Sequence, residues 1–210
     1  MDYNKLGLKS GLEIHQQLDT KKLFCNTSSF LRSDEPTYSV KRKLHAIAGE
    51  TGIIDEAVKH EASLDREFIY QGYDSISLIE LDEEPPLAIN EEALEIGLHI
   101  ALLLNCDILP VSQVMRKTVI DGSNTSGFQR TVLIARNGWI ETKDGKVKID
   151  TVVLEEDAAR IISREKDKTI YRLDRLGIPL VEIATAPDIK TPEQFKEVAL
   201  HIGDILRACK

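Results

Sequence analysis

This chain of 210 residues has few cysteines and no long apolar run. Its most apolar stretch, residues 96–104, is too short to span a bilayer and contains His99. Cys25, Cys106 and Cys209 are far apart and form no Cys-x-x-Cys pair, which favours reduced thiols over a disulfide framework or a zinc site. The first residues lack the basic start and apolar core of a signal peptide. We therefore expect a cytoplasmic protein without a membrane segment.

Familiar nucleotide-binding and nucleophile motifs are also missing. The chain has no Walker A sequence and no dinucleotide fingerprint, and no Gly-x-Ser-x-Gly or Cys/His pair supports a covalent nucleophile. The formal net charge of -8 argues against a surface covered by nucleic acid, although it is compatible with a local basic patch. The densest basic cluster is Lys41, Arg42 and Lys43. We interpret this cluster as part of a solvated loop rather than as a phosphate-binding site.

The hydrophobic pattern combines many strands with three helices. Alternating or continuous apolar residues predict strands at residues 11–18, 76–81, 131–135, 147–154 and 178–184. Three helices are predicted. The first occupies residues 55–70, the second begins after the cap residue Asn90, and the third begins at the capping box of Thr191, Pro192 and Gln194. This combination predicts an α+β fold, with the helices on one face of a mostly antiparallel sheet.

Glu182 interrupts the otherwise apolar run at residues 178–184. Glu is depleted in strands and rarely buried without a partner, because an ionised carboxylate is expensive to desolvate. Glu182 should therefore either be protonated or have a partner from another part of the chain.

Two further segments offer such partners. Glu13 and His15 are two residues apart on a predicted strand and so point to the same face, although an exposed polar face would give the same pattern. Glu155 and Glu156 end another strand, where a cluster of acids needs either solvent or a cation. Strand alternation puts these two acids on opposite faces, and the sequence leaves open which of them faces Glu182.

Carboxylates from three strands suit Mg²⁺, which takes one or two protein carboxylates and keeps waters or substrate phosphates. Imidazole is commoner on zinc, iron or manganese, so His15 is either a ligand or a neighbour of the ligands. Residues 122–127 form a Gly/Ser/Asn/Thr loop flanked by Arg116, Lys117 and Arg130. Its backbone N–H groups suit a phosphate, but a plain hairpin loop is an equal alternative.

Three motifs, in this order along the chain, resemble the catalytic domain of the B/E family of tRNA-dependent amidotransferase subunits. They are GLEIHQQL at residues 11–18, LEEDA at 154–158, and RLGIPLVEI at 175–183 followed by Pro187 and Asp188. Residues 116–129 and the turn at 82–86 look like the archaeal branch of the family rather than the bacterial one. The resemblance covers nearly the whole chain.

The resemblance implies a cradle-like catalytic domain, similar in fold to glutamine synthetase, and a two-step reaction. ATP would phosphorylate the glutamate side chain of Glu-tRNA(Gln), and ammonia would then displace phosphate to give Gln-tRNA(Gln). The ammonia would come from a separate asparaginase-like amidase in a heterodimer or heterotetramer. Residues 1–210 would be a truncated catalytic domain. Inserted and C-terminal domains, absent here, would hold most of the tRNA.

By motif match the resemblance also assigns roles to residues. It implies a catalytic metal site of Glu13, His15, Glu156 and Glu182, with Glu155 as the alternative to Glu156. Phosphate or substrate contacts would fall to a second group: Arg116, Lys117, Ser123, Asn124 and Thr125. Arg175 would either orient the Glu182 segment or contact nucleotide. The competing hypothesis is a non-catalytic scaffold that docks the amidase and tRNA, with its acids around a structural ion.

Overall fold

A computed structural model describes residues 3–46, 48 and 51–209. The described helices are α1 (Tyr3–Leu6), α2 (Glu56–Ser63), α3 (Glu91–Leu103) and α4 (Pro192–Ala208). The strands are β1 (Glu13–Gln17), β2 (Tyr38–Lys43), β3 (Glu67–Gly72), β4 (Asp107–Ile108), β5 (Val114–Thr118), β6 (Phe128–Thr142), β7 (Gly145–Glu156), β8 (Arg160–Arg164), β9 (Lys168–Arg172) and β10 (Pro179–Thr185). None of these helices is long and apolar enough to cross a membrane.

The larger sheet has six strands and is antiparallel throughout. Its order is β1-β10-β7-β6-β4, and β5 also pairs with β6. Helices α3 and α4 pack on one face, where Ile100 and Val198 join Leu154 and Ile183 in the main core. Gly97 lets α3 approach β6, since a Cβ there would lie 2.9 Å from the Ile134 Cδ1. The predicted α+β fold, with helices on one face of a mostly antiparallel sheet, is confirmed.

The capping signals at both large helices are confirmed. Asn90 accepts a hydrogen bond from the Ala93 N–H, and Thr191 accepts one from the Gln194 N–H at 3.1 Å. The Gln194 carboxamide reaches back to the Lys190 N–H, one residue before the cap. These bonds satisfy N–H groups that have no partner inside the helix.

A second sheet was not predicted. It has four strands in the order β2-β3-β9-β8, with β3 and β9 parallel and the other pairs antiparallel. Tyr70 and Tyr171 stack in its small core and donate hydrogen bonds to the Gly122 and Asp121 carbonyls, at 2.7 and 2.5 Å. The loop after β5 is thereby held against the second sheet.

Three sequence predictions are wrong in this region. The helix predicted for residues 55–70 ends at Ser63, because Asp65 has a positive φ of 52° and Phe68, Ile69 and Tyr70 continue as β3. The basic cluster that begins at Lys41 lies in the edge strand β2 of this sheet rather than in a loop.

The strand predicted at residues 76–81 is a turn. The Ser77 N–H and hydroxyl both bind the Glu80 carboxylate, and the Asp82 N–H bonds to the Ile79 carbonyl. These local bonds offer the backbone an alternative to a strand ladder.

Candidate metal centre and phosphate-binding loop

Strand pairing brings Glu182 together with acids from its two neighbouring strands. His15 on β1 lies directly opposite Glu182, and Val153 on β7 lies opposite it on the other side. Residues directly opposite one another share a face of a sheet, as do residues two apart on one strand. One face of the sheet therefore carries Glu13, His15, Glu155 and Glu182. The opposite face of the same strands enters the helix-covered core.

Glu13, His15 and Glu182 form a compact cluster in which each side chain offers one ligand atom. These three atoms all lie within 4.8 Å of one another. The His15 Nε2 is 2.9 Å from the Glu13 Oε1 and 3.6 Å from the Glu182 Oε2. Only 17% of the Glu182 side chain is exposed, whereas Glu13 and His15 are open to solvent. The cluster has the donors and the spacing for one divalent cation.

Lys117 and Glu155 border this cluster. The Lys117 Nζ lies 3.4 Å from the Glu155 Oε2 and 4.0 Å from the Glu182 Oε2. Burial raises the pKa of Glu182, and the negative charges of Glu155 and Glu13 raise it further. The positive charges of Lys117 and His15 act in the opposite direction but do not cancel the rise. The cluster is thus short of positive charge, which a bound cation would supply.

Glu156 is not brought to the cluster. It points to the opposite face of β7, where the Arg130 Nη1 lies 3.1 and 3.2 Å from its two carboxylate oxygens. The Arg130 N–H also bonds to it, at 3.3 Å. Burial raises the pKa of Glu156, although Arg130 opposes that shift. Of the two alternatives, Glu155 shares the face of Glu182, and Glu156 is neutralised by a side chain of this protein.

The predicted phosphate loop joins the two sheets. The Ser123 N–H bonds to the Asp121 carboxylate at 2.9 Å, and the Ser123 carbonyl accepts from the Ala159 N–H at 2.8 Å. The Thr125 hydroxyl donates to the Glu80 carbonyl at 2.7 Å. The loop is therefore fixed by contacts along its length, and Asn124 and Thr125 face a cavity of about 740 Å³.

Arg116 and Lys117 are neighbours on β5 and so point to opposite faces. Lys117 faces the carboxylates, whereas Arg116 lines the cavity and lies over the Phe128 ring at 5.4 Å. Alternation along β5 thus divides the two predicted phosphate contacts between the cluster and the cavity.

Arg175 binds the segment that follows β7. Its guanidinium donates to the Ala158 and Ala159 carbonyls, at 2.7 and 3.0 Å, and lies 3.6 Å from the Asp157 carboxylate. Gln17 donates to the same carboxylate at 2.6 Å. Gln17 was not among the site residues predicted from the sequence, although it continues the alternation of Glu13 and His15 along β1.

A buried ion pair was also missed. The Lys22 Nζ lies 2.8 Å from the Glu80 Oε1, and both side chains are almost completely buried. Lys22 follows a second lysine and Glu80 lies in a segment predicted to be a strand. No local pattern marked either as buried, because the two residues are 58 positions apart.

Comparison with known proteins places the chain in a family. The model of the GatB/GatE catalytic domain matches residues 8–210. The chain is 58% identical over 210 residues to the E subunit of glutamyl-tRNA(Gln) amidotransferase from Methanocaldococcus jannaschii, covering 99% of this chain and 33% of that protein. It is 55% identical over 212 residues to the E subunit from Pyrococcus abyssi, covering 100% of this chain and 33% of that protein. The E subunit from Natronomonas pharaonis is 52% identical over 209 residues, or 99% of this chain and 34% of that protein. This chain spans about a third of the length of these relatives. It belongs to the GatB/GatE catalytic domain family.

Proposed function

We propose that this chain is the catalytic part of a tRNA-dependent amidotransferase, which converts Glu-tRNA(Gln) to Gln-tRNA(Gln). The observation that carries the proposal is the cluster of Glu13, His15 and Glu182, with the Lys117 ammonium at its border. The relatives' shared name, the E subunit of glutamyl-tRNA(Gln) amidotransferase, supports the substrate. The amide nitrogen would come from an asparaginase-like amidase partner, the D subunit, and most tRNA contacts would lie in domains outside this chain.

The donor set fits Mg²⁺ or a similar hard divalent cation. Two carboxylates and one imidazole provide the protein ligands, and the exposed side of the cluster leaves room for water or phosphate oxygens. A cation held there would offset the negative charge of a phosphoryl group near the carboxylates. Burial chiefly raises the pKa of Glu182 and the neighbouring carboxylates of Glu155 and Glu13 add to that rise, so a bound cation would stabilise the ionised form of Glu182.

The chemistry requires two anions to meet. An oxygen of the substrate's side-chain carboxylate would bond to the γ-phosphorus of ATP as the bond to ADP breaks. Ammonia would then attack the acyl carbon, and phosphate would leave. Lys117 would draw the phosphoryl oxygens toward the cluster, while Glu155, buried beside it, holds the Lys117 ammonium in place. Placing cationic groups before the reaction lowers its barrier, since no reorganisation is needed as charge moves.

A Glu182→Gln substitution tests the proposal in the full-length protein assembled with the amidase. We expect it to weaken Mn²⁺ binding, followed by electron paramagnetic resonance, and to reduce Mg²⁺-dependent ATP hydrolysis stimulated by Glu-tRNA(Gln). Folding should survive, because burial raises the pKa of Glu182, so that the folded protein loses stability by holding this carboxylate ionised and a neutral carboxamide of the same shape avoids that cost.

Glu141→Gln is the matched control, since Glu141 is an exposed strand glutamate paired only loosely with Lys146, at 3.9 Å. It should leave metal binding and hydrolysis unchanged. If Glu182→Gln behaves like this control, the catalytic role is wrong. If it abolishes Mn²⁺ binding but leaves hydrolysis intact, the cluster is the structural ion site of a scaffold.

A further inference from the structure

Gln17 is the third polar residue on the side of β1 that carries the carboxylate cluster. Residues two apart on a strand share a face, so the Gln17 side chain leaves the same face of the sheet as Glu13 and His15. Gln17 is half-buried, whereas the other two are open to solvent. Its Nε2 donates to the Asp157 Oδ2 at 2.6 Å. Gln17 therefore continues the row of ligand-bearing residues, with its carboxamide directed to Asp157.

The hydrogen bond between Gln17 and Asp157 passes over β10. Gln17 lies opposite Leu180 on β10, and Leu180 lies opposite Glu155 on β7. Asp157 comes directly after β7, two residues beyond Glu155. Because neighbouring strands lie about 4.8 Å apart, β1 and β7 are separated by about 9.5 Å, which the two side chains bridge together. The bond thus ties β1, at one end of the sheet, to a strand that is not its ladder neighbour.

Asp157 is fixed through both its backbone and its side chain. Its N–H donates to the Ile178 carbonyl at 2.8 Å, and its carbonyl accepts from the Gly177 N–H at 2.9 Å. Its Oδ1 accepts from the Ala158 N–H at 2.8 Å and lies 3.6 Å from the Arg175 Nε. The carboxylate is therefore a firm point of attachment for β1.

Arg175 contributes to the same arrangement. It lies in a turn that the Ile178 N–H closes by donating to the Arg175 carbonyl at 3.1 Å. From this turn the guanidinium reaches the Ala158 and Ala159 carbonyls, and so holds the segment after β7 against the segment before β10. Of the two roles predicted for Arg175, these contacts favour orientation of the Glu182 segment over contact with nucleotide.

We infer that Gln17 and Asp157 are positioning residues for the carboxylate cluster. The bond between them holds the end of β1 against β10 and β7, and so sets the distance from Glu13 and His15 to Glu182. Groups that orient metal ligands matter to affinity nearly as much as the ligands, because a cation tolerates little change in ligand separation. The inference rests on the proposed function in one respect, that the cluster binds a cation.

Mn²⁺ binding to the full-length protein assembled with the amidase, followed by electron paramagnetic resonance, tests the inference without turnover. Gln17→Met keeps the length and neutrality of the side chain but removes its donor, and should weaken Mn²⁺ binding roughly tenfold or more. Gln16→Met is the matched control. Gln16 is exposed on the other face of β1 and donates to the adjacent Gln17 carbonyl, so its replacement should leave binding unchanged.

Asp157→Ala breaks the same bond from its other end, so the test does not depend on the folding of one variant. Whatever else the loss of this charge does, adding Gln17→Met to Asp157→Ala should weaken Mn²⁺ binding no further, because the bond is already gone. Losses that multiply in the double variant would show that the two residues act independently, and would overturn the inference.

The Mg²⁺ dependence of ATP hydrolysis stimulated by Glu-tRNA(Gln) separates a positioning role from a purely structural one. In Gln17→Met the half-saturating Mg²⁺ concentration should rise roughly tenfold, while the rate at saturating Mg²⁺ stays close to that of the wild type. A loss of folded protein would instead lower the rate at every Mg²⁺ concentration, and that result would overturn the inference.

The outcomes for Gln17→Met and Glu182→Gln are distinguishable. If Glu182→Gln loses Mn²⁺ binding and Gln17→Met binds like Gln16→Met, the proposed function stands and the positioning role is wrong. If both variants lose Mn²⁺ binding but Glu182→Gln hydrolyses ATP normally, the catalytic role is wrong, and Gln17 positions the ligands of a structural ion.

Discussion

Replacement of Lys22 by Met should lower the free energy of unfolding by much more than the similar shapes of the two side chains suggest. The Lys22 Nζ is bound to the Glu80 carboxylate at 2.8 Å and to the Leu173 carbonyl at 3.1 Å, and 0% and 2% of the two charged side chains are exposed. Met keeps the apolar stem but removes the charge. Glu80 would be left buried with only the hydroxyls of Thr27 and Ser77 and one N–H group.

Breaking a buried pair from one side typically costs about 3–5 kcal/mol, because an uncompensated charge remains in a medium that solvates it poorly. The matched control is Lys43→Met. The Lys43 ammonium is paired with Asp65, and the two side chains are 53% and 74% exposed. An exposed pair of this kind contributes about 0–1 kcal/mol. The difference between the two variants is therefore a large share of the roughly 5–15 kcal/mol that holds a domain folded.

The pH dependence gives this prediction a second signature. Burial acts to raise the pKa of Glu80, but the Lys22 charge and the hydrogen bonds outweigh it and lower that pKa. In the wild type, Glu80 therefore contributes stability above its unfolded pKa that is lost as pH falls through the lowered value. Without Lys22, burial dominates and the folded pKa rises above the unfolded one. The penalty in Lys22→Met should then shrink as the solution is acidified and Glu80 becomes neutral.

Urea unfolding followed by the fluorescence of Trp139, the single tryptophan, measures both effects. The free energies of unfolding of wild type, Lys22→Met and Lys43→Met would be compared at about pH 7 and about pH 5. The reasoning is refuted if Lys22→Met loses no more stability than Lys43→Met near neutrality. A penalty that grows toward acid pH would equally contradict the role given to Glu80.

Two further substitutions test how the loop and the last helix are held. Gly122→Ala should lower the free energy of unfolding by about 1–3 kcal/mol, because Gly122 has a φ of +81° and a Cβ there would lie 2.6 Å from the Phe68 ring. Gly145→Ala is the control, since Gly145 has a positive φ but open space around it, and it should lose less stability in the same urea assay. Equal losses would contradict the steric argument. Thr191→Ala should cost about 1 kcal/mol by removing the cap that accepts the Gln194 N–H, and an unchanged unfolding midpoint would show that this cap contributes nothing.

The sequence was informative where one face of an element is buried and the other is not. The alternation around Glu13 and the isolated acid at Glu182 predicted strands, since a period of two leaves a clear signal when apolar and polar faces differ. The second sheet gave a weaker signal. In β3 the apolar residues Phe68, Ile69 and Tyr70 are consecutive rather than alternating, so residues 67–72 extend the apparent pattern of the helix before them. The parallel pairing of β3 with β9 joins segments that are far apart in the sequence.

The choice between Glu155 and Glu156 shows where sequence reasoning stops. A shift of one residue in register exchanges the two faces of a strand, and both acids end the same apolar run. Only the pairing of Leu180 with Glu155 and of Pro179 with Glu156 decides which acid faces Glu182. The proximity of β1 to β10 is likewise a property of the folded sheet, since 167 positions separate His15 from Glu182 in the sequence.

The position of β1 has a consequence for how the cluster responds to its ligand. β1 lies at one end of the larger sheet and has β10 as its ladder partner there, whereas β10 is held on both sides. Fraying of β1 would carry Glu13 and His15 away from Glu182 together. An ion bound by all three residues would bind only the state in which β1 is paired with β10, and so would stabilise that pairing by mass action. Ion binding at the cluster and pairing of β1 with β10 would therefore be thermodynamically linked, so that a change in either shifts the other.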